Sequence, residues 1–157
     1  MDWNKLLFDA DEKPLDRLVD SYSHTLVFRT MAFIGDSLSS GEFETCDGQG
    51  NKGYHDMFEY SWGQYIARKN GIRAYNFSRG GMTAKEYCNR FADHHGYWNR
   101  EYAAQCYIIA LGVNDVTRYM KGEFELGQIS DIDLSDYRNN AKTFIGYYAQ
   151  IIQRVKE

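Results

Sequence analysis

Apolar residues recur along the chain in two alternating rhythms. Residues 29–35 (RTMAFIG) form a short apolar run ending in glycine, the pattern of a buried strand. Residues 57–70 then carry Phe58, Trp62, Tyr65 and Ile66 at helical spacing, and Asn70-Gly71 supplies a C-terminal stop. Residues 72–77 (IRAYNF) read as a second strand. Thr83 and Glu86 form the capping box T-A-K-E ahead of a helix bearing Tyr87, Cys88 and Phe91. Residues 106–111 (CYIIAL), the most apolar stretch, read as the third strand. From an N-cap at Asp133, apolar residues recur at steps of three and four from Leu134 to Val155, which predicts a long amphipathic helix.

The resulting order, β-α-β-α-β-α, implies an α/β domain with a parallel sheet, helices on its faces and right-handed crossovers. Residues 1–25, interrupted by Pro14, predict a helical N-terminal extension that packs through Leu15, Leu18 and Val19, and residues 26–157 belong to one domain. Residues 38–56 form a long connection containing Gly, Ser and Asp, of a length more often functional than idle.

Composition narrows the function classes. The 157 residues are 43% hydrophobic and 25% charged, the balance of one soluble globular domain. A formal net charge of -4 argues against nucleic acid or an anionic membrane as partner. No apolar stretch approaches the ~20 residues of a membrane helix. The N-terminus, with Asp2, Lys5, Asp9, Asp11 and Glu12, lacks the apolar core of a signal peptide, so a cytoplasmic location is expected. Cys46, Cys88 and Cys106 are odd in number and widely spaced, which speaks against a disulfide framework and against zinc. Aromatic residues reach 16%, with thirteen tyrosines; they fill core and surface, and an aromatic surface also stacks on sugar rings.

Candidate chemistry lies where the strands end, because open α/β sheets bind ligands at their carboxyl edge. The first strand is followed by Gly35-Asp36-Ser37, the second by Ser78-Arg79-Gly80-Gly81-Met82-Thr83, the third by Gly112-Val113-Asn114-Asp115. Taken singly, each is an ordinary turn. Jointly and in order, they offer a nucleophile, Ser37, and three hydrogen-bond donors for one anionic oxygen: the Ser37 N–H, the Gly81 N–H and the Asn114 amide. That set suits acyl transfer through a tetrahedral intermediate.

At these residues the chain resembles the GDSL, or SGNH, hydrolase family of esterases and lipases. "FIGDSLS" is similar to the first block of that family, "NFSRGGMT" to the second and "LGVND" to the third, and spacing and order agree as well. The resemblance spans roughly residues 29–116 and continues into the next helix. It implies a flavodoxin-like three-layer α/β/α sandwich with strand order 2-1-3-4-5, Ser37 as nucleophile, and Gly81 and Asn114 as partners of the Ser37 N–H in the oxyanion hole. Asp115 is expected to hold its turn. Asp36, beside the nucleophile, and His55, in the long connection, are candidates for substrate contact. The G-x-S-x-G elbow of the α/β-hydrolases is absent.

The family also supplies a histidine base in a D-x-x-H motif near its C-terminus, and that motif is absent here. Of the four histidines, His24 precedes the first strand, His55 lies in the long connection, and His94 and His95 end a helix without further metal ligands around them. The chain therefore reads as the N-terminal portion of a larger hydrolase or one piece of a cleaved one, inactive alone, with strand 106–111 left as a sheet edge for a further segment or a partner chain to cover; a shortened, non-catalytic relative is the third reading. The expected function is serine-dependent hydrolysis of carboxylic esters, leaning toward acetylated carbohydrate over long-chain lipid. A non-catalytic binding module on the same fold is the competing reading. A phosphate or nucleotide binder is weakened by the lack of a G-x-G-x-x-G or P-loop pattern. No metal or organic cofactor is implied.

Overall fold

A computed structural model describes residues 23–157. Its centre is a parallel sheet of β1 (Thr30–Gly35), β4 (Arg73–Ser78) and β5 (Cys106–Ala110) in the order β4-β1-β5. Ile34 of β1 is in register with Phe77 on one side and Ile109 on the other. A central parallel strand is covered on both faces, and β1 is buried from Met31 onward.

Successive residues of β1 feed opposite cores. Met31 and Phe33 pack with Ala67 and Ile72, on the side of helix α2 (Trp62–Asn70). Ala32 and Ile34 pack with Phe77, Met82, Tyr87 and Ile151, on the side of two later helices. Helix α3 covers residues 84–95, where Ala84–Glu86 and Ala92–His95 are α-helical around a π-helical turn, Tyr87–Phe91. Helix α5 is Phe144–Arg154. This is the expected mixed α/β architecture: a parallel sheet between helical layers. Gly71 closes α2 as expected, and of the expected capping box only the Thr83 half forms: Thr83 Oγ1 accepts the Glu86 N–H at 3.1 Å, while the Glu86 carboxylate pairs with Arg79 at 2.6 Å.

Three expectations need correction. The connection 38–56 is not irregular. It contains a short helix α1 (Ser37–Ser40) and an antiparallel hairpin, β2 (Glu42–Cys46) with β3 (Lys52–Asp56). The Asp47 carboxylate closes the hairpin by accepting the N–H groups of Gln49 and Asn51, both at 2.8 Å, and the Asn51 amide holds its pKa below the usual carboxylate value. Second, no helix starts at Asp133. That carboxylate accepts N–H groups from Ser135 at 2.8 Å and Asp136 at 3.1 Å, together with the Ser135 hydroxyl and the Asn139 amide. These bonds push its pKa down to about 2 and fold the segment into turns. Polar side chains that bond their own backbone outcompete helical periodicity. Leu134, expected on the packing face, is 92% exposed. The helix begins after Thr143, whose hydroxyl accepts the Gly146 N–H at 3.2 Å. Third, the turn after the third strand leads straight into a helix that apolar periodicity does not predict, α4 (Val113–Met120).

The expected N-terminal helix falls outside the described residues up to residue 22; its last part is a 3-10 turn, His24–Val27, capped by Ser23. Among the described residues no helix is long and apolar enough to cross a membrane.

Candidate active site

The three strand ends meet. β1 stops at Gly35, where an added Cβ would run into the buried Ser39 side chain. Asp36, itself buried, caps α1 by accepting the Leu38 N–H at 3.1 Å. Ser37 thus opens the first turn of α1, half-buried, and its hydroxyl has no hydrogen-bond partner among the described residues. The end of β4 is tied to the end of β1 twice: the Ser78 hydroxyl donates to the Phe33 carbonyl at 2.7 Å, and the Arg79 N–H to the Gly35 carbonyl at 3.3 Å. The chain then turns through Gly80 and Gly81. Gly81 has φ +72, in the left-handed region that favours glycine, and is exposed.

The end of β5 delivers Asn114 and Asp115 on the first turn of α4. The Asn114 side-chain amide donates to the Met82 carbonyl at 3.0 Å and lies 3.5 Å from the Asp36 carboxylate. It touches the residue after Gly81 and the residue before Ser37. Asp115 turns inward, fully buried. Both its oxygens accept the Ala84 N–H, at 3.1 and 3.2 Å, so it holds the start of α3 as well as its own turn. Burial raises its pKa above the usual carboxylate value, and the Ala84 N–H opposes that rise. Asp36, Ser37, Gly81 and Asn114 thus all follow the carboxyl ends of the three strands, with Asn114 linking Asp36 to Met82, the residue after Gly81.

His55 stands apart from that group. It lies exposed on β3, its Nε2 3.1 Å from the Thr45 hydroxyl and its ring 5.2 Å from that of Phe43. Phe43, not His55, lines the cavity beside Ser37. That cavity, about 490 Å³, is walled by Leu38, Phe43, Met57, Tyr60 and Trp62, with Glu42 and Ser61 as its polar members besides Ser37. His24 is exposed at the opposite, amino end of β1. His94 and His95 lie in a separate polar pocket with Arg79, Glu86, Arg90 and Phe91. Among the described residues no three His, Cys, Asp or Glu side chains gather closely enough to hold a metal ion.

Two polar contributors were not legible as site residues. Asp56, at the end of β3, accepts the Gly80 N–H through both oxygens, at 3.1 and 3.2 Å, and also the Ser40 hydroxyl. Glu42 faces it across the hairpin and presses on Gly80, where an added Cβ would overlap its carboxylate. The available signal was the pair of acidic residues at the two ends of the 42–56 segment, visible only once that segment is read as a hairpin.

A family model described as GDSL-like Lipase/Acylhydrolase matches residues 31–156, from the second residue of β1 to just past α5. No curated protein matches the chain.

Proposed function

The chain belongs to the GDSL-like lipase/acylhydrolase family, a family of acylhydrolases, and from that premise we propose that Ser37 is the nucleophile of an ester hydrolase. The observation that carries the proposal is the Asn114 amide, which bridges the Met82 carbonyl and the Asp36 carboxylate and so ties all three strand ends around Ser37. In this reading the Ser37 oxygen attacks the ester carbonyl. The tetrahedral oxygen that gains the negative charge is met by the N–H groups of Ser37 and Gly81 and by the Asn114 amide. An amide nitrogen carries two hydrogens. One stays on the Met82 carbonyl at 3.0 Å; the other, at the longer 3.5 Å from Asp36, is the one exchanged for the oxyanion. Collapse of the intermediate expels the alcohol, and water then releases the acid from Ser37.

The general base comes from outside this set of residues, since none of the four histidines lines the Ser37 cavity. By itself the 157-residue chain is expected to turn over ester at background rate. The outer edge of β5, which pairs with β1 alone among the described residues, is where a further segment or partner chain adds a strand. Its uncharged sequence predicts association of the isolated chain in sedimentation. For the substrate, the aromatic and apolar cavity wall supports a compact acyl group on a ring with an apolar face, such as an acetylated carbohydrate. Faster turnover of octanoyl than acetyl nitrophenyl esters, once a base is supplied, would instead assign that wall to an acyl chain.

The absent base also favours a second reading, a non-catalytic binding module. A fluorophosphonate separates the two, with free imidazole in the buffer as substitute base; the cavity beside Ser37 has room for it. The proposal predicts an adduct on the Ser37 peptide by mass spectrometry, faster with imidazole and absent in Ser37→Ala, with the circular dichroism of the variant unchanged. No adduct under either condition, or equal labelling in Ser37→Ala, rejects the nucleophile.

A further inference from the structure

We propose that Asp56 is a positioning residue: its carboxylate fixes the glycine turn 80–81 at the height of Ser37, so that the Gly81 N–H is aimed before substrate arrives. The inference rests on the reading of Ser37 and Gly81 given above. One carboxylate is attached to both sides of the site. On one side it accepts the Ser40 hydroxyl, and Ser40 is buried in the same helical turn as Ser37, its oxygen 3.2 Å from the Ser37 carbonyl. On the other side it accepts the Gly80 N–H at 3.1 and 3.2 Å, one peptide ahead of the Gly81 donor.

Each glycine then has its own physical reason. Gly80 admits the hairpin's two carboxylates, since an added Cβ would overlap Glu42 and sit 3.4 Å from Asp56 Oδ1. Gly81 admits φ +72. A Gly-Gly pair left alone samples both signs of φ, and a donor acts on an oxyanion only when held within about 2.7–3.1 Å of it. The bond to Gly80 removes part of that freedom. The negative charge of Asp56 does not cancel the benefit, because it is engaged by two donors and stands at an exposed position where water screens it.

The test compares Asp56→Ala, Asp56→Asn and Ser40→Ala by two readouts. One is hydrogen exchange of the Gly80 amide. The other is the rate of fluorophosphonate labelling of Ser37 in imidazole, resolved into a maximal rate and a half-saturating concentration. Asp56→Ala is expected to speed Gly80 exchange and to lower the maximal rate about tenfold each, the loss of one charge-assisted hydrogen bond. The half-saturating concentration should stay within about twofold. Asp56→Asn keeps one carbonyl oxygen for Gly80 and should recover most of the rate, a rescue that a merely space-filling role would not show. If Asp56→Ala does not fold, Ser40→Ala should show a smaller loss of maximal rate, and a wild-type rate there overturns the proposal. So do unchanged Gly80 exchange in Asp56→Ala, a change confined to the half-saturating concentration, or equal losses in the alanine and asparagine variants. Wild-type protein that never labels at Ser37 removes the catalytic reading, and Asp56's role with it, even where Gly80 exchange shows the clamp intact.

Discussion

Asp56 and Asp115 hold the same short segment from opposite sides, with the same geometry. Asp115 accepts the Ala84 N–H and Asp56 the Gly80 N–H, each through two oxygens at 3.1 and 3.2 Å. Their surroundings differ: Asp115 is 0% exposed, whereas Asp56 stands at an exposed position on the hairpin. Identical hydrogen bonds therefore have different consequences. In the interior, losing the acceptor strands a buried N–H that water cannot reach, so the whole desolvation cost appears as lost stability. At the surface water replaces the acceptor, so what is lost is direction more than stability. The buried aspartate holds the fold, and the exposed one aims a turn. Between them lies Gly81, the proposed donor.

The sharpest break in that comparison comes from Asn114, the neighbour of Asp115 whose amide bonds the Met82 carbonyl and faces the Asp36 carboxylate, one residue before Ser37. Asn114→Ala is expected to lower the maximal labelling rate at Ser37 by about 10²–10³, because it removes a donor to the transition-state oxygen, and to cost only about 1 kcal/mol of stability through the unpaired Met82 carbonyl. A large loss of stability in urea denaturation would place Asn114 with the structural group. Next, Asp115→Ala should cost about 2–3 kcal/mol in urea denaturation, through the stranded Ala84 N–H and the vacated space. Asp56→Ala should cost under about 1 kcal/mol. Equal costs would mean that exposure does not separate the two carboxylates.

Acid titration sharpens the same contrast through opposite signs. Burial raises the Asp115 pKa in the folded state above 3.8. The folded protein therefore holds that proton more tightly than the unfolded chain, and stability from this group falls as pH rises from 3.8 through its folded value. Asp115→Asn should remove that slope. Asp133, with its pKa pushed down to about 2, acts the other way. Its contribution is present above 3.8 and is lost as pH falls toward 2, where the 133–139 turns should lose hydrogen-exchange protection while the sheet keeps its own. The smallest effect concerns the thiols. Cys46 is exposed, whereas burial pushes the Cys88 thiol up to about 12 and its proton is turned to the Tyr147 carbonyl at 3.4 Å. A thiol reagent near neutral pH should modify Cys46 readily and Cys88 only after denaturation.

What could be read from the chain follows the same division between inside and outside. β1 is an apolar run because it is covered on both faces, and β4 and β5 carry enough apolar residues to read as strands, so the three strands were visible in the residues, while their order came from the family resemblance. β2 and β3 are exposed along nearly their whole length, carry no apolar alternation, and so passed for a loop. Helix α4 was hidden because its sequence, VNDVTRYM, opens with the polar pair Asn114-Asp115 and presents few apolar residues to the core. The false helix start at Asp133 arose from true periodicity overruled by side chain-to-backbone bonds. Ser37, Gly81 and Asn114 could be proposed from the chain because each lies within four residues of a strand end. Asp56 could not, because its partner is a backbone N–H 24 residues on, which no side-chain pattern announces. His55 drew notice as a titratable loop residue, but strand alternation turns it onto Thr45 and Phe43.

The central claim is that three donors from three strand ends converge on one oxygen at Ser37. A crystal structure of the phosphonylated chain tests it most directly, because the phosphoryl oxygen of the adduct stands where the oxyanion forms. The account predicts phosphorus on the Ser37 oxygen and the phosphoryl oxygen about 2.7–3.1 Å from the Ser37 nitrogen, the Gly81 nitrogen and Asn114 Nδ2. A phosphoryl oxygen turned to solvent, with Asn114 still bonded to Met82 and Asp36 as it is here, would contradict it.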